Sequence, residues 1–309
     1  DNKNIKLKYY IFIILFMISK QLRQQWKEEY CKEWFQIILD NPDKEWSYFG
    51  LSQNPNITWE IVKNNPDKEW DYDMLSENPN ITWEIIRNNP EYNWRYIYLS
   101  ENPNITWEIV KNNPDKEWDY LYLSFNPNIT WEIVKNNLEK PWNYYKLSSH
   151  PNITWEIVKN NPQIPWSYIH LSSNPNITWE IVKNNPEYDW NYSNLSNNPN
   201  ITWDIVQNNP EHKWSYLELS YNPNITFDIM KNNRDKQWNY WEVNMNPNIT
   251  WEIVKNNPQI PWRYDYLSRN PMTKQFNDYM KKKEEIYNTA YKIIDRYTNR
   301  DIAEMIMSI

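Results

Sequence analysis

The stretch NITWEIVKNNPDKEW, residues 56–70, decides the fold, because versions of it return eight more times at constant length. Its first indole position gives Trp59, Trp83, Trp107, Trp131, Trp155, Trp179, Trp203, Phe227 and Trp251. Its second gives Trp46, Trp70, Trp94, Trp118, Trp142, Trp166, Trp190, Trp214, Trp238 and Trp262. Both ladders step by 24 residues without insertion or deletion. A strict period of this size marks a repeat array, in which each unit is one supersecondary element stacked on its neighbours.

Inside a unit, two Asn-Pro steps are the punctuation. Asn65 before Pro66 has the form of a helix N-cap followed by Pro at the first helical position. On that reading PDKEWDYDMLS is a helix of about three turns. Ser76 to Pro79 then breaks the chain, since the residue before proline is pushed out of the helical region. ITWEIIRNN forms a second, shorter helix capped by Asn80 or Thr82, and the pair Asn64/Asn65 satisfies the backbone at the corner between helices. Glu60/Lys63 and their copies sit three apart on a solvated helix face.

One such hairpin cannot stand alone. Burying its seven large apolar side chains yields roughly 10–20 kcal/mol, while ordering its backbone costs roughly 24–48 kcal/mol. Stacking buries both faces, and a constant repeat length keeps every indole in the shared groove. The fold class expected is therefore all-α: an α-solenoid, a superhelix of short two-helix 24-residue repeats with N- and C-terminal capping helices. With helices packing 8–10 Å apart, about ten units make an elongated body roughly 90–100 Å long.

The chain divides into three regions. Residues 1–32 are an apolar and basic segment with a capping helix; 33–271 are the array, beginning at Phe35, which falls 24 before Trp59; 272–309 are C-terminal capping helices with Ile286, Ile293, Ile294, Ile302 and Ile306 at near-helical spacing. The apolar run Tyr9 to Ile18 is shorter than the ~20 residues of a spanning helix. It resembles a signal-peptide core, yet no small-residue cleavage site follows in SKQLRQQW. Translation starting at Met17 would remove most of it; otherwise residues 9–18 are the one candidate membrane anchor.

The 309 residues carry a net charge of −7. Residues 1–44 hold 8 basic and 6 acidic side chains and residues 272–309 hold 7 and 6, which leaves −10 on the array. An acidic array disfavours phosphate backbones as partners. One cysteine, Cys31, allows no intrachain disulfide and fits a reducing compartment. The glycosylation acceptor NIT occurs nine times, at Asn56 and every 24 residues to Asn248, beside the packing indoles. Nine glycans in that row would block the stack, so an intracellular location is expected, not a secretory one.

The phrase NPNITWEIVKNNP…W.Y..LS.NPNITWEIV resembles the tandem tryptophan-rich repeats in proteins of giant DNA viruses of the mimivirus group, over about residues 33–271. The lysine- and asparagine-rich composition and the NPMTKQ exit from the array fit that source. The resemblance implies an origin, with host cytoplasm or virion as the location, and no activity. The period and the NPN…E.[VL] pattern are also similar to leucine-rich variant repeats, as an architectural analogy only.

Chemistry is sparse. His150, His170 and His212 lack metal-ligand spacing and read as surface residues. A chain with one glycine holds no phosphate-cradling loop. The acids recur identically in every unit, whereas catalysis needs groups in divergent environments. The expectation is no enzyme, no catalytic residue, no metal, no cofactor and no small-molecule substrate. Variation concentrates instead at the positions of Met74 and Glu77, three apart on one helix, which line one edge of the stack. There Tyr98, Tyr122, Phe125, His170, Tyr221, Met245 and Tyr266 form the candidate protein-contact surface. The function expected is a non-enzymatic scaffold for protein–protein interaction, its partner unidentified. The alternatives are a self-assembling virion protein and a single-stranded nucleic-acid binder that uses aromatic stacking.

Overall fold

Threonine before the first tryptophan starts each outer helix. Thr58 is extended, and its Oγ1 accepts from the Ile61 N–H at 3.3 Å, supplying one of the donors that a helix start leaves unpaired. The same cap stands at Thr82, Thr106, Thr130, Thr154, Thr178, Thr202, Thr226 and Thr250. Each helix is shorter than two turns, as in Trp59–Asn64. It ends where Asn65 Nδ2 donates back to the Ile61 carbonyl at 2.8 Å. The expected backbone role of that corner is therefore met by Asn65.

The three-turn helix expected from Pro66 does not form. Asn65 is not an N-cap: its Nδ2 bonds the preceding helix, and no helix follows it before Tyr72. The Asn65 carbonyl accepts from Lys68 N and from the Trp70 indole at 2.9 Å, which holds residues 66–70 in a turn. The inner helix begins only at Tyr72, capped by Asp71, and runs Tyr72–Glu77. In several units it shrinks to four residues, as in Tyr96–Leu99. Both Asn-Pro steps are turns, not helix starts.

The computed structural model describes the backbone of residues 2–307 and the side chains of residues 20–289 and 292. Among the described residues the chain is an all-helical repeat solenoid with no strand. Ten inner helices, starting at Tyr48 and every 24 residues to Tyr264, alternate with outer helices starting at Trp59 and ending with Trp251–Asn256. Columns of Leu75, Ile81 and Ile86 and their equivalents run between the two layers, all buried.

Indoles join the units. In all ten units the second tryptophan donates Nε1 to the carbonyl five residues back, at 2.7–3.0 Å. Its ring meets the first aromatic of the preceding unit at 5.5–6.2 Å. Both columns are buried or half-buried.

The elongated body expected from the sequence is not what forms: the array bends round and its ends meet. Asn78 Nδ2 donates to the carbonyls of Ser52 and Asn54 at 2.8 and 3.0 Å. Asn54 makes the same two bonds to Ser268 and Asn270, at 2.8 and 3.0 Å. Ser47 N donates to Ser268 Oγ at 2.9 Å, as Asp71 N does to Ser52 Oγ. Trp46 packs on Trp251 and Tyr264, and Lys44 lies over the Tyr264 ring. Unit ten thus touches unit one as any unit touches the next, and the solenoid is a closed ring. Nothing in a 24-residue repeat states its curvature, so the sequence pattern could not distinguish a rod from a ring.

The joint has its own fitting. Gly50 occupies the position of Met74, and a Cβ there would lie 3.0 Å from Arg269 Cγ and Ser268 Cβ and 3.2 Å from the Asp265 carbonyl. The chain's single glycine stands at the seam.

Both terminal helices cover this region. The helix Asn2–Asp40 ends as the tenth outer helix, with Phe35 against Trp70 at 5.9 Å. Upstream it packs antiparallel on Thr273–Met307, through Tyr30 with Phe276 and Tyr279 and through ion pairs Lys283–Glu29 and Arg23–Glu284, both 2.8 Å. Lys32–Glu60 and Lys27–Asn80 tie it to the first units. The C-terminal segment is one helix with Ile286 exposed; Ile293, Ile294, Ile302 and Ile306 lie outside the described side chains, as does the Tyr9–Ile18 run. Among the described residues no helix is long and apolar enough to cross a membrane.

Candidate functional site: the inner wall of the ring

Each inner helix turns Leu75 and Ser76, or their equivalents, into the frame. The opposite face carries the positions of Asp73, Met74 and Glu77, one helical turn apart. Electrostatics shows which way that face looks. Glu77 feels the charge of Arg269, Glu101 that of Lys146, and Tyr122 that of Glu77. Each pair is two units apart round the ring, as expected of side chains that converge on its concave side. The variable face is therefore the wall of a central bore.

The wall gathers the candidate residues in sequence around the ring, without drawing them into one cluster. Tyr98 and Tyr122 meet edge to face at 5.7 Å. Lys146 lies over Phe125 at 4.4 Å, and Arg263 over Tyr266 at 5.2 Å. His170 Nδ1 pairs with Ser167 Oγ at 2.8 Å and its ring meets Tyr145. Tyr221 is exposed; the other six are half-buried.

A third position went unread in the sequence. The residues equivalent to Asp73 include Phe49, Leu121, Tyr145, Ile169, Leu217 and Trp241, all exposed. The signal was available: these residues lie four before the Glu77 position and so share its face. Together the three positions make a wall rich in aromatic and aliphatic side chains.

Its charges are mostly acidic. Burial, then the neighbouring Glu101, pushes the Glu77 carboxyl up to about 7. Burial also raises Glu101. Glu218 is raised by burial and by Glu242.

The histidines correct the surface reading. His150 is buried at 3% exposure and stands in for a ladder asparagine. Its Nε2 donates to the Asn126 carbonyl at 2.9 Å, and Nδ1 accepts from Asn152 N at 3.1 Å. That pairing needs the neutral ring, and burial lowers its pKa. His212 stacks on Tyr192 at 4.3 Å. Among the described residues no three His, Cys, Asp or Glu side chains gather where they could hold a metal ion.

The NIT asparagines are structural as well. Asn80 Nδ2, the atom a glycan would occupy, donates to the Pro55 and Ile57 carbonyls at 2.7 and 2.9 Å. The other eight donate likewise to the preceding unit.

No family model, curated protein or solved structure matches this chain.

Proposed function

We propose that this chain is a non-enzymatic interaction scaffold whose inner wall holds a protein partner. One observation carries the reading: the frame repeats almost unchanged in every unit, while variation and exposed apolar side chains concentrate on the concave face. A fixed frame with a variable concave surface is the usual layout of a binding solenoid. Exposed aromatics grouped on one face exceed what a plain surface carries.

The self-assembly reading loses ground, because the stacking edges of unit one and unit ten satisfy each other. Nucleic-acid stacking loses ground too, since the repeated indoles are packed and hydrogen-bonded inside the frame and the array is acidic. Origin in a large DNA virus rests on the resemblance of the repeat phrase alone.

The test is site-specific photocrosslinking in cells that express the protein. A photoreactive residue at Tyr122 or Tyr98, on the inner wall, is expected to capture a discrete protein. The same residue at Glu108 or Glu132, on the outer wall, is expected to capture none. Equal capture from both walls would overturn the reading.

A further inference from the structure

The dimensions and charge of the inner wall limit what kind of partner it can take, provided that this wall is the partner site proposed above. Ten inner helices spaced about 8–10 Å apart form a circle of radius roughly 13–16 Å at their axes. Their own side chains occupy about 5–6 Å of that radius. The open width is then roughly 14–22 Å, and an α-helix with its side chains measures about 10–12 Å. A single helix fits this bore with its whole circumference facing wall.

Charge narrows the choice further. Two pairs of carboxylates face the bore, Glu77 with Glu101 and Glu218 with Glu242, on roughly opposite sides. Within each pair the two groups interact as like charges. The ion pairs formed along this wall, Arg95–Asp73 and Arg263–Asp265, engage other acids. Of the remaining cations there, Arg269 lies over the Phe49 ring and Lys146 over Phe125, and each also acts on one acid of the first pair, Arg269 on Glu77 and Lys146 on Glu101. Four carboxylates against these two cations leave the wall net acidic in a confined, partly desolvated space, where an incoming cation gains most. Between the pairs the wall offers Tyr122, Tyr145 and Ile169 to apolar and cationic side chains.

We infer that the bore binds one basic amphipathic α-helix of another protein, with lysine or arginine at the two carboxylate pairs and apolar side chains against the aromatic sectors.

The probe is a labelled synthetic helical peptide of about five turns, rich in Lys, Leu and Trp, titrated into the full chain and followed by fluorescence anisotropy. The matched controls are a peptide with every Lys replaced by Glu, spermine, and a single-stranded oligonucleotide. Saturable binding by the basic peptide alone, weakened by salt, is the expected result. The quadruple variant Glu77→Gln, Glu101→Gln, Glu218→Gln, Glu242→Gln should bind roughly tenfold or more weakly. A Glu132→Gln, Glu156→Gln variant on the outer wall should bind as the parent does, and its melting curve and that of the quadruple variant show that the ring is intact.

Equal binding of the acidic peptide, an unaffected quadruple variant, or binding confined to spermine or the oligonucleotide would overturn the inference. If no peptide binds while Tyr122 still crosslinks a partner, the occupant is wrong and the inner wall stands as the site. If both fail, the inner wall is not the site.

Discussion

Asn54 Nδ2 reaches the Ser268 carbonyl at 2.8 Å across 214 residues of chain, and the bond is the same one that Asn78 makes to Ser52 across 26. A repeat array has two raw ends unless something covers them; here each end covers the other.

Gln53 and Arg269 occupy equivalent wall positions in adjoining units across that joint. Cysteines placed at both should be bridged by a crosslinker spanning about one helix spacing, 8–10 Å. Cys31 should not compete, because burial pushes its thiol up to about 11 and hides it. Failure to crosslink, with the ends far apart in a spin-label distance measurement, would leave the array open.

Loss of a ladder asparagine should be costly, and equally so everywhere. Asn54→Ala strands the Asn56 N–H and the carbonyls of Ser268 and Asn270. Unmet buried groups cost about 1–3 kcal/mol each, with partial relaxation, so about 2–4 kcal/mol is expected. Asn126→Ala in mid-array should cost the same, because a ring has no terminal unit. Urea unfolding of the two variants decides; a much smaller loss at Asn54 would show that the joint is weak.

At the seam itself, Gly50→Met should destabilise by about 1–3 kcal/mol through overpacking, although methionine serves in the equivalent place at Met74. Arg269→Ala should recover part of the loss, since Arg269 Cγ is one of the atoms the new Cβ would meet. A double-mutant cycle in thermal unfolding measures the coupling.

His150 should make the fold acid-sensitive. Its folded pKa is lowered from 6.5, so the unfolded chain binds the proton more readily. The stability it lends is present above about pH 6.5 and is lost as pH falls below that. His150→Asn restores the ladder residue found in the other nine units, and its unfolding midpoint should hold up better than the parent's on going from pH 7.5 to 5.

Glu77 has the opposite sign. Its folded pKa is raised to about 7, chiefly by burial, so the fold binds a proton that the unfolded chain releases near 4.5. Stability drawn from this group is present at low pH and is lost as pH climbs through 7. Glu77→Gln should therefore raise the urea midpoint at pH 8 and leave it unchanged at pH 4.

Much of the frame was legible. Thr82 as a cap, Asn65 at the corner, the indole columns and Phe35 as the first worn copy all follow from local chemistry and a fixed period. The inner helix was overdrawn because Asn65-Pro66 looks like a helix start, and only the Trp70 indole bond shows the carbonyl already committed to a turn. Curvature was invisible, being a small rotation per unit that depends on the relative bulk of the inner and outer layers. His150 misled for a related reason: a histidine can copy the bonding of a buried asparagine, and nothing in its neighbours says so. The wall was half read, with Met74 and Glu77 positions recognised and the Asp73 position passed over.

Closure also shapes how the molecule comes together. Contacts between successive units span only tens of residues and form early, so an open arc assembles quickly. Its last step joins segments more than two hundred residues apart, at an entropy cost that grows only slowly with that distance. In a concentrated solution the waiting edge of one arc can instead meet the complementary edge of another molecule. Two arcs joined that way form an exchanged dimer, and dilution during refolding should favour the single ring.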